Sequence, residues 1–392
     1  MESARLVIAL TRLVRDVGLA EDLAQEAFTA ALAQWPDEGV PDKPGAWLMT
    51  IARRKAIDLI RRERARDEKY VELATDPTLA STPDSDDMLA LMFVACHPVL
   101  PREARAALTL RMVGGLSTDE VARAFLVPSA TIGQRISRAK RTLAEAHVPF
   151  GVPGTAELPA RLDAVLEVIY LIFNEGYSAT SGPEWVRRDL AEDAMRLGRM
   201  LAALLPKAPV VHGLVSLMEL QASRFAARTG ADGEPVLLED QDRSRWDHTL
   251  IRHGLAALGK AVNLGQPLGP YTLQAAIAGC HARARTFGET DWEAVVALYD
   301  ALAQVAPSPV VELNRAVAVL HADGAEAALG ALDAIRHDPR MARYHLYGAV
   351  RGEVLRRLGR TGEAAEELER AADLAPTAHE RRLLMHRAAS LT

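Results

Sequence analysis

The feature that most restricts the fold is a repeat near the C-terminus. In GEVLRRLGRTGEAAEELERAADLAP (352–376), Gly352, Gly359, Ala364, Leu368, Ala371 and Pro376 take the small, apolar and terminating positions of a two-helix unit. Gly324 stands 35 residues before Gly359, one unit earlier. Further back, DWEAVVALYDALAQVAP (291–307) reads as the second helix of another unit, with Tyr299 and Pro307 at its large and terminal positions. A lone helical hairpin leaves one apolar face open that only the next hairpin can bury, so such units must stack. The pattern is clear over 290–376 and degenerate over 155–290, which are read as a continuation of the stack.

Nothing elsewhere argues for a sheet. Aromatic residues are 5% of the chain, Ala and aliphatic residues dominate, and alternating β-branched runs are scarce, so the expectation is all-α. With 392 residues there is room for two or three domains. The opening MESARLVIALTRLVRD lacks the long apolar core of a signal peptide, and no run of 18 apolar residues occurs, so no membrane association is expected. Cys96 and Cys280 are too few and too far apart for a disulfide framework, which fits a reducing cytoplasm.

Residues 4–35 have helical periodicity, broken at Gly18, and Glu21 and Asp22 open the following segment as acids suit a helix N-terminus. PDEGVPDKPG (36–45) reads as a loop. From Pro44 a second helix places Leu48, Ile51, Ala52, Ala56 and Leu59 on one face and its arginines elsewhere. Residues 67–87 lose periodicity and gain Pro, Ser and Asp, as an acidic linker does. Helical pattern returns from about Met88 to His147, and PFGVPGTAELP (149–159) is a second break.

Charge divides the N-terminal part more finely than the total of −6 suggests. Residues 1–150 carry 20 Lys and Arg against 21 Asp and Glu, yet 51–66 hold seven basic and two acidic residues. The stretch VPSATIGQRISRAKRTL (127–143) holds four basic residues and no acid. In it Ile132, Ile136, Ala139 and Leu143 form an apolar seam, with Thr131, Gln134, Arg138 and Arg141 opposite and Arg135 beside them. These are side chains that bond base edges and phosphates. Upstream, Ser117 and Glu120 make a capping-box pattern, Val121, Ala124 and Phe125 a buried face, and Gly114 and Gly115 end the preceding helix. Two short helices joined by a tight turn, the second basic, describe a helix-turn-helix. A plain helical hairpin with a solvated basic face has the same local pattern. Similarly, KPGAWLMTIARRKAIDLIRRERAR (43–66), with Trp47 beside its arginines, suits unpaired bases and equally a surface helix with a buried Trp.

Enzyme signals fail on inspection, and neither a cofactor nor a metal is expected. GLAALGKA (254–261) has Ala261 where a phosphate-binding loop needs Ser or Thr, and no strand precedes it. Asp240 and Asp242 lack the glycine and closing glutamate of a calcium loop. The pairs Cys96–His97 and Cys280–His281 have no partner motif for zinc. Asn174, Glu175, Gly176 and Tyr177 read as a helix stop at glycine more readily than as a pocket.

The order of DLAQEAF, a Pro/Gly loop, AWLMTIARRKAIDLIRR, an acidic linker and a helix-turn-helix resembles the extracytoplasmic-function sigma factors of bacterial RNA polymerase. The segments DAVLEVIYLIFNEGYSAT (163–180), LLEDQDRSRWD (237–247), PYTLQAAIAGCHA (270–282) and SPVVELNRAVAV (308–319) resemble the long extension of one subgroup, which carries a tetratricopeptide-like domain in place of a separate anti-sigma protein. The resemblance implies sigma region 2 over 1–70, a linker over 71–87, sigma region 4 over 88–148 and a tetratricopeptide-like regulatory solenoid over 155–392. It implies core RNA polymerase and promoter DNA as partners, with a peptide, a protein or the chain's own sigma domains as ligand of the solenoid. Asp22, Gln25, Glu26 and Phe28 would face polymerase. Trp47, Arg53, Arg54, Lys55, Arg61 and Arg62 would engage the −10 strand. Ser129, Thr131, Gln134, Arg135, Arg138 and Arg141 would read the −35 duplex, with Lys140 on its backbone. Two alternatives stay open: a protein-interaction scaffold, and a DNA-binding regulator that does not use polymerase.

Overall fold

The computed structural model describes residues 2–63, 85–125, 127–177, 187–230, 236–265, 267–375 and 378–391. Among the described residues the chain forms 18 α-helices and no strand. They fall into two units, 1–206 and 207–392.

The first unit opens with α1 (Glu2–Val14), α2 (Val17–Glu38) and α3 (Pro44–Glu63). Leu6, Val7, Ile8 and Leu10 of α1 meet a stripe of small residues on α2, Ala20, Ala24, Ala27 and Ala31, and Leu48, Ala52 and Ala56 of α3 close the core. The break between α1 and α2 lies at Arg15, whose φ is +58°, and not at Gly18 as the periodicity predicts. Asp16 is the reason: its carboxylate accepts from the Leu19 N–H at 2.9 Å and caps α2, leaving Gly18 inside the first turn. Pro36 is likewise inside the last turns of α2, so the loop predicted over 36–45 shrinks to 39–43, between the Gly39 cap and Pro44.

The chain continues through α4 (Ser85–Ala95) and α5 (Arg102–Thr109), which runs into a π turn, Leu110–Gly114, ended by Gly115 at φ +77°. Then come α6 (Thr118–Ala124) and α7 (Ser129–Glu145). The linker predicted over 71–87 lies outside the described residues except for 85–87, which already belong to α4. Asp87 there is buried and accepts from Arg12 Nε at 3.0 Å, tying α4 to α1.

Two further helices, α8 (Leu158–Tyr177) and α9 (Arg188–Leu204), belong to this same unit, so the compact division falls about 50 residues beyond the point where sequence periodicity restarts. Helix α8 buries Val165, Leu166, Ile169, Ile172 and Phe173. Its end, Tyr177, lies one residue past Gly176, within the stretch that the sequence reads as a stop. A Cβ at Gly176 would lie 2.5 Å from the Ala191 N, so the glycine is where α8 and α9 cross.

The second unit is a succession of helices, each packed chiefly on helices one or two places away in sequence: α10 (Pro209–Ala222), α11 (His248–Asn263), α12 (Pro270–Arg283), α13 (Trp292–Val305), α14 (Pro309–Ala322), α15 (Ala325–Ile335), α16 (His345–Arg357), α17 (Thr361–Leu374) and α18 (Ala378–Ala389). Gly324 and Gly359, the two glycines of the repeat, both take left-handed φ, +91° and +73°, and turn α14 into α15 and α16 into α17. GLAALGKA lies within α11. Among the described residues no helix is long and apolar enough to cross a membrane, and no cluster of His, Cys, Asp and Glu could hold a metal ion.

Candidate nucleic-acid interface

The helix-turn-helix of α6 and α7 is built by local chemistry. The Glu120 N–H donates to Ser117 Oγ at 3.2 Å while the Ser117 N–H donates to Glu120 Oε2 at 2.7 Å, the reciprocal capping box the sequence predicts. The Ser117 N–H, aided by the Ser117 side chain, holds the Glu120 carboxyl below its ordinary pKa. The turn closes through the Val127 N–H on the Ala122 carbonyl at 3.1 Å, without a glycine, and Pro128 leads into α7. Ile132, Ile136, Ala139 and Leu143 are buried as the seam requires. On the far side Ser129, Thr131, Gln134, Arg138 and Arg141 are exposed, and Arg135 is half-buried.

Lys140 is placed differently. Its Nζ bonds Glu21 and lies 2.6 Å from Asp22 Oδ1, both on α2. Glu21, 2% exposed, also takes Arg111 Nε at 2.9 Å. A carboxylate so buried is stable only when paired, and here two cations share it. Gly18 sits beneath: an added Cβ would stand 3.0 Å from Lys140 Cβ. The four polymerase-facing candidates are therefore not equivalent. Asp22 is exposed but held by Lys140, Glu26 is exposed and paired with Lys55 at 2.6 Å, and Gln25 and Phe28 are half-buried.

On α3, Trp47 is half-buried against Trp35, ring centroids 5.5 Å apart at 59°. Arg53 is half-buried, Arg54 exposed, and Lys55 joins the −10 set to Glu26. The side chains of Arg61 and Arg62 lie outside the described residues, although their backbone is in α3.

Residues the sequence left unmarked hold this surface in place. Arg187 donates to the Arg123 carbonyl at 3.2 Å and to that of Ala124, the open C-terminal end of α6, and its other nitrogen bonds Glu175. Arg196 donates to the Gly114 carbonyl at 2.9 Å and Arg161 to that of Phe93 at 2.8 Å. Three guanidiniums from α8, α9 and the residue before it thus satisfy carbonyls where α4, the π turn and α6 end. Glu167 of α8 adds ion pairs to Arg102 and Arg105 at 3.2 and 3.3 Å. No local signal marks these roles, because each partner lies tens of residues away.

Similarity to known proteins follows the same division. Residues 2–66 match sigma-70 region 2 and residues 90–143 match sigma-70 region 4. Residues 161–262 match a family of unknown function, DUF6596. An uncharacterised protein of Rhizobium meliloti is 45% identical over 384 residues, 95% of this chain and 90% of its own length. The ECF RNA polymerase sigma factor SigK of Mycobacterium ulcerans is 31% identical over 142 residues, covering 34% of this chain and 75% of SigK. The probable ECF RNA polymerase sigma factor SigI of Mycobacterium tuberculosis is 29% identical over 188 residues, 42% of this chain and 63% of SigI. With region 2 on α1–α3, region 4 on α4–α7 and a long helical extension behind them, the chain belongs to the extracytoplasmic-function RNA polymerase sigma factors.

Proposed function

We propose that the protein directs initiation by reading the −35 duplex through α7 and the −10 strand through α3, with residues 207–392 acting in cis as a tetratricopeptide-like regulatory module. As a sigma factor it works with core RNA polymerase and promoter DNA, and the sigma family is non-enzymatic. The observation that carries the −35 assignment is the division of α7: its apolar seam is buried, while Thr131, Gln134, Arg138 and Arg141, spaced i, i+3, i+7 and i+10, remain exposed along one side. A helix of that kind fits the major groove, with polar side chains on base edges and the helix N-terminus at Ser129 near a phosphate. Arg135 borders that face, and Arg141 lies toward the DNA backbone.

For the −10 element, unpairing costs stacking energy, offset by aromatic and cationic contacts to the freed strand. Trp47, Arg53 and Arg54 supply them on α3, with Lys55, Arg61 and Arg62 along the same helix. Asp22, Gln25, Glu26 and Phe28 of α2 form the polymerase-docking face. Since Lys140 holds Asp22, docking through that carboxylate and the α2–α7 contact compete.

Promoter-specific transcription with purified core enzyme tests the reading. Gln134→Ala and Arg138→Ala are each expected to weaken promoter discrimination by about 1–3 kcal/mol per lost base contact. Unchanged promoter preference in both variants would remove the −35 assignment. For the extension, a chain ending after Pro206 is the informative truncation, because α8 and α9 are part of the first unit. Higher activity than the full chain supports masking, loss of activity supports a positive role, and equal activity removes the regulatory reading.

A further inference from the structure

Residues 207–392 contain a cavity of about 360 Å³ between α13, α14, α16, α18 and residues 237–239, and its walls differ in chemistry. One wall is aromatic. Trp292 and His321 lie ring on ring, centroids 4.4 Å apart and planes at 21°, Phe287 meets both edge-on, and Tyr299 stands beside them. Burial lowers the pKa of His321 and pushes neighbouring His281 down to about 4, so both imidazoles are neutral near physiological pH.

The other wall carries Arg357 and Arg387, whose side chains are 31% and 28% exposed. Between them stands Glu353. Its Oε1 accepts from Arg356 Nη2 at 2.7 Å and Arg357 Nε at 2.9 Å, its Oε2 from Arg356 Nε at 2.9 Å and Arg387 Nη2 at 2.7 Å. Burial favours the protonated acid, but the hydrogen bonds from Arg356 and Arg357 prevail and hold Glu353 at about 2. The carboxylate is saturated, while Arg357 gives it only Nε and Arg387 only Nη2. Among the described residues the remaining guanidinium N–H groups of both have no protein acceptor. Arg357 and Arg387 face Glu353 and Glu239 across the cavity, so this wall is balanced in charge and what it offers a ligand is its unused N–H donors.

We propose that this cavity binds a small aromatic carboxylate, its ring against Trp292 and Tyr299 and its carboxylate on the free N–H groups of Arg357 and Arg387. A guanidinium fork binds a carboxylate by paired charged hydrogen bonds, and a ring on tryptophan adds stacking. Unused charged N–H donors favour a carboxylate, which only accepts, over an amide or cationic analogue of the same shape. The volume is at the low end for small-ligand pockets and too small for an α-helix, about 10 Å across. The inference concerns the extension alone and does not depend on which promoter the protein reads.

The test is titration of the full-length protein with 2-naphthoate and with 2-naphthamide, followed by calorimetry and by the indole N–H resonances of the tryptophans. We expect saturable one-site binding of the acid, at least tenfold tighter than the amide, with the Trp292 resonance shifted. Arg387→Gln, which leaves Glu353 its bonds to Arg356 and Arg357, should weaken the acid at least tenfold and leave the amide unchanged. If that variant melts early, Arg357→Gln serves for the same comparison. Ala349→Phe, which fills the cavity from α16, should abolish binding of the acid without lowering the melting temperature. No saturable binding of the acid, equal affinity for acid and amide, or an arginine variant that acts alike on both overturns the proposal.

Discussion

Where α2 meets α7, the contact is a buried carboxylate, Glu21, shared by Lys140 and Arg111, over a glycine that leaves room for the lysine stem. Where α8 and α9 meet α4–α6, the contact is apolar mass: Val165, Leu166, Ile169, Ile172 and Phe173 are buried, and arginines close off helix ends around them. Both seams lie within residues 1–206. A seam of few charges can open at modest cost once another partner offers Asp22 or Lys140 equivalent bonds. A seam of buried apolar surface opens only with loss of the fold. The α2–α7 charges are one link between region 2 and region 4, beside the Arg12–Asp87 pair of α1 and α4, while the start of the extension shares the apolar core of the region that carries the helix-turn-helix.

The largest effect should come from the apolar seam. Phe173 is fully buried, and Phe173→Ala should cost about 3–5 kcal/mol in urea unfolding, with DNA binding by α7 lost in the same transition. If α7 keeps its DNA affinity in that variant, the seam is not integral and the contrast collapses.

The second expected effect separates the two units through pH. His281, in residues 207–392, is held at about 4 in the fold, against an ordinary value of 6.5, first by burial and then by the Arg224 and Arg243 cations. The unfolded chain therefore binds more protons between those values. Its contribution is full above pH 6.5 and lost as pH falls toward 4, about 3 kcal/mol in all. Urea unfolding of the parent and His281→Asn at pH 7 and pH 5 checks it. The difference should appear in the transition of residues 207–392 and leave that of 1–206 in place.

The smallest effect belongs to the polar seam. Lys140→Gln removes one of two cations from Glu21 and should weaken the α2–α7 contact by about 1.5–3 kcal/mol, the scale of a hydrogen bond to a charged group. The readout is the distance between labels on α2 and α7 and the affinity for core polymerase, both of which should rise. Affinity that falls or stays level would show that the contact does not compete with docking.

Much of this was readable before any coordinates. The seam Ile132, Ile136, Ala139 and Leu143 and the Ser117–Glu120 box depend on neighbours three or four positions away, so helical geometry alone places them. The left-handed turns at Gly324 and Gly359 recur with the repeat for the same reason. A boundary set by competition is harder to read: Asp16 caps α2 upstream of Gly18 and leaves that glycine inside the first turn. Lys140, which the resemblance assigns to the DNA backbone, pairs with α2, and nothing near it in the chain announces the Glu21 that it finds.

The sequence by itself determined an all-α chain and the polar and apolar sides of α7, because each follows from side chains within one helical turn, while the order of two sigma regions and a long extension came from its resemblance to a known family. Only the tertiary structure decided which charges are taken and which remain exposed, where the compact division falls, and that Trp292, Glu353 and Arg387 border one cavity. Those outcomes depend on pairs of residues tens of positions apart, whose meeting is set by how whole helices pack and not by the spacing within any one of them.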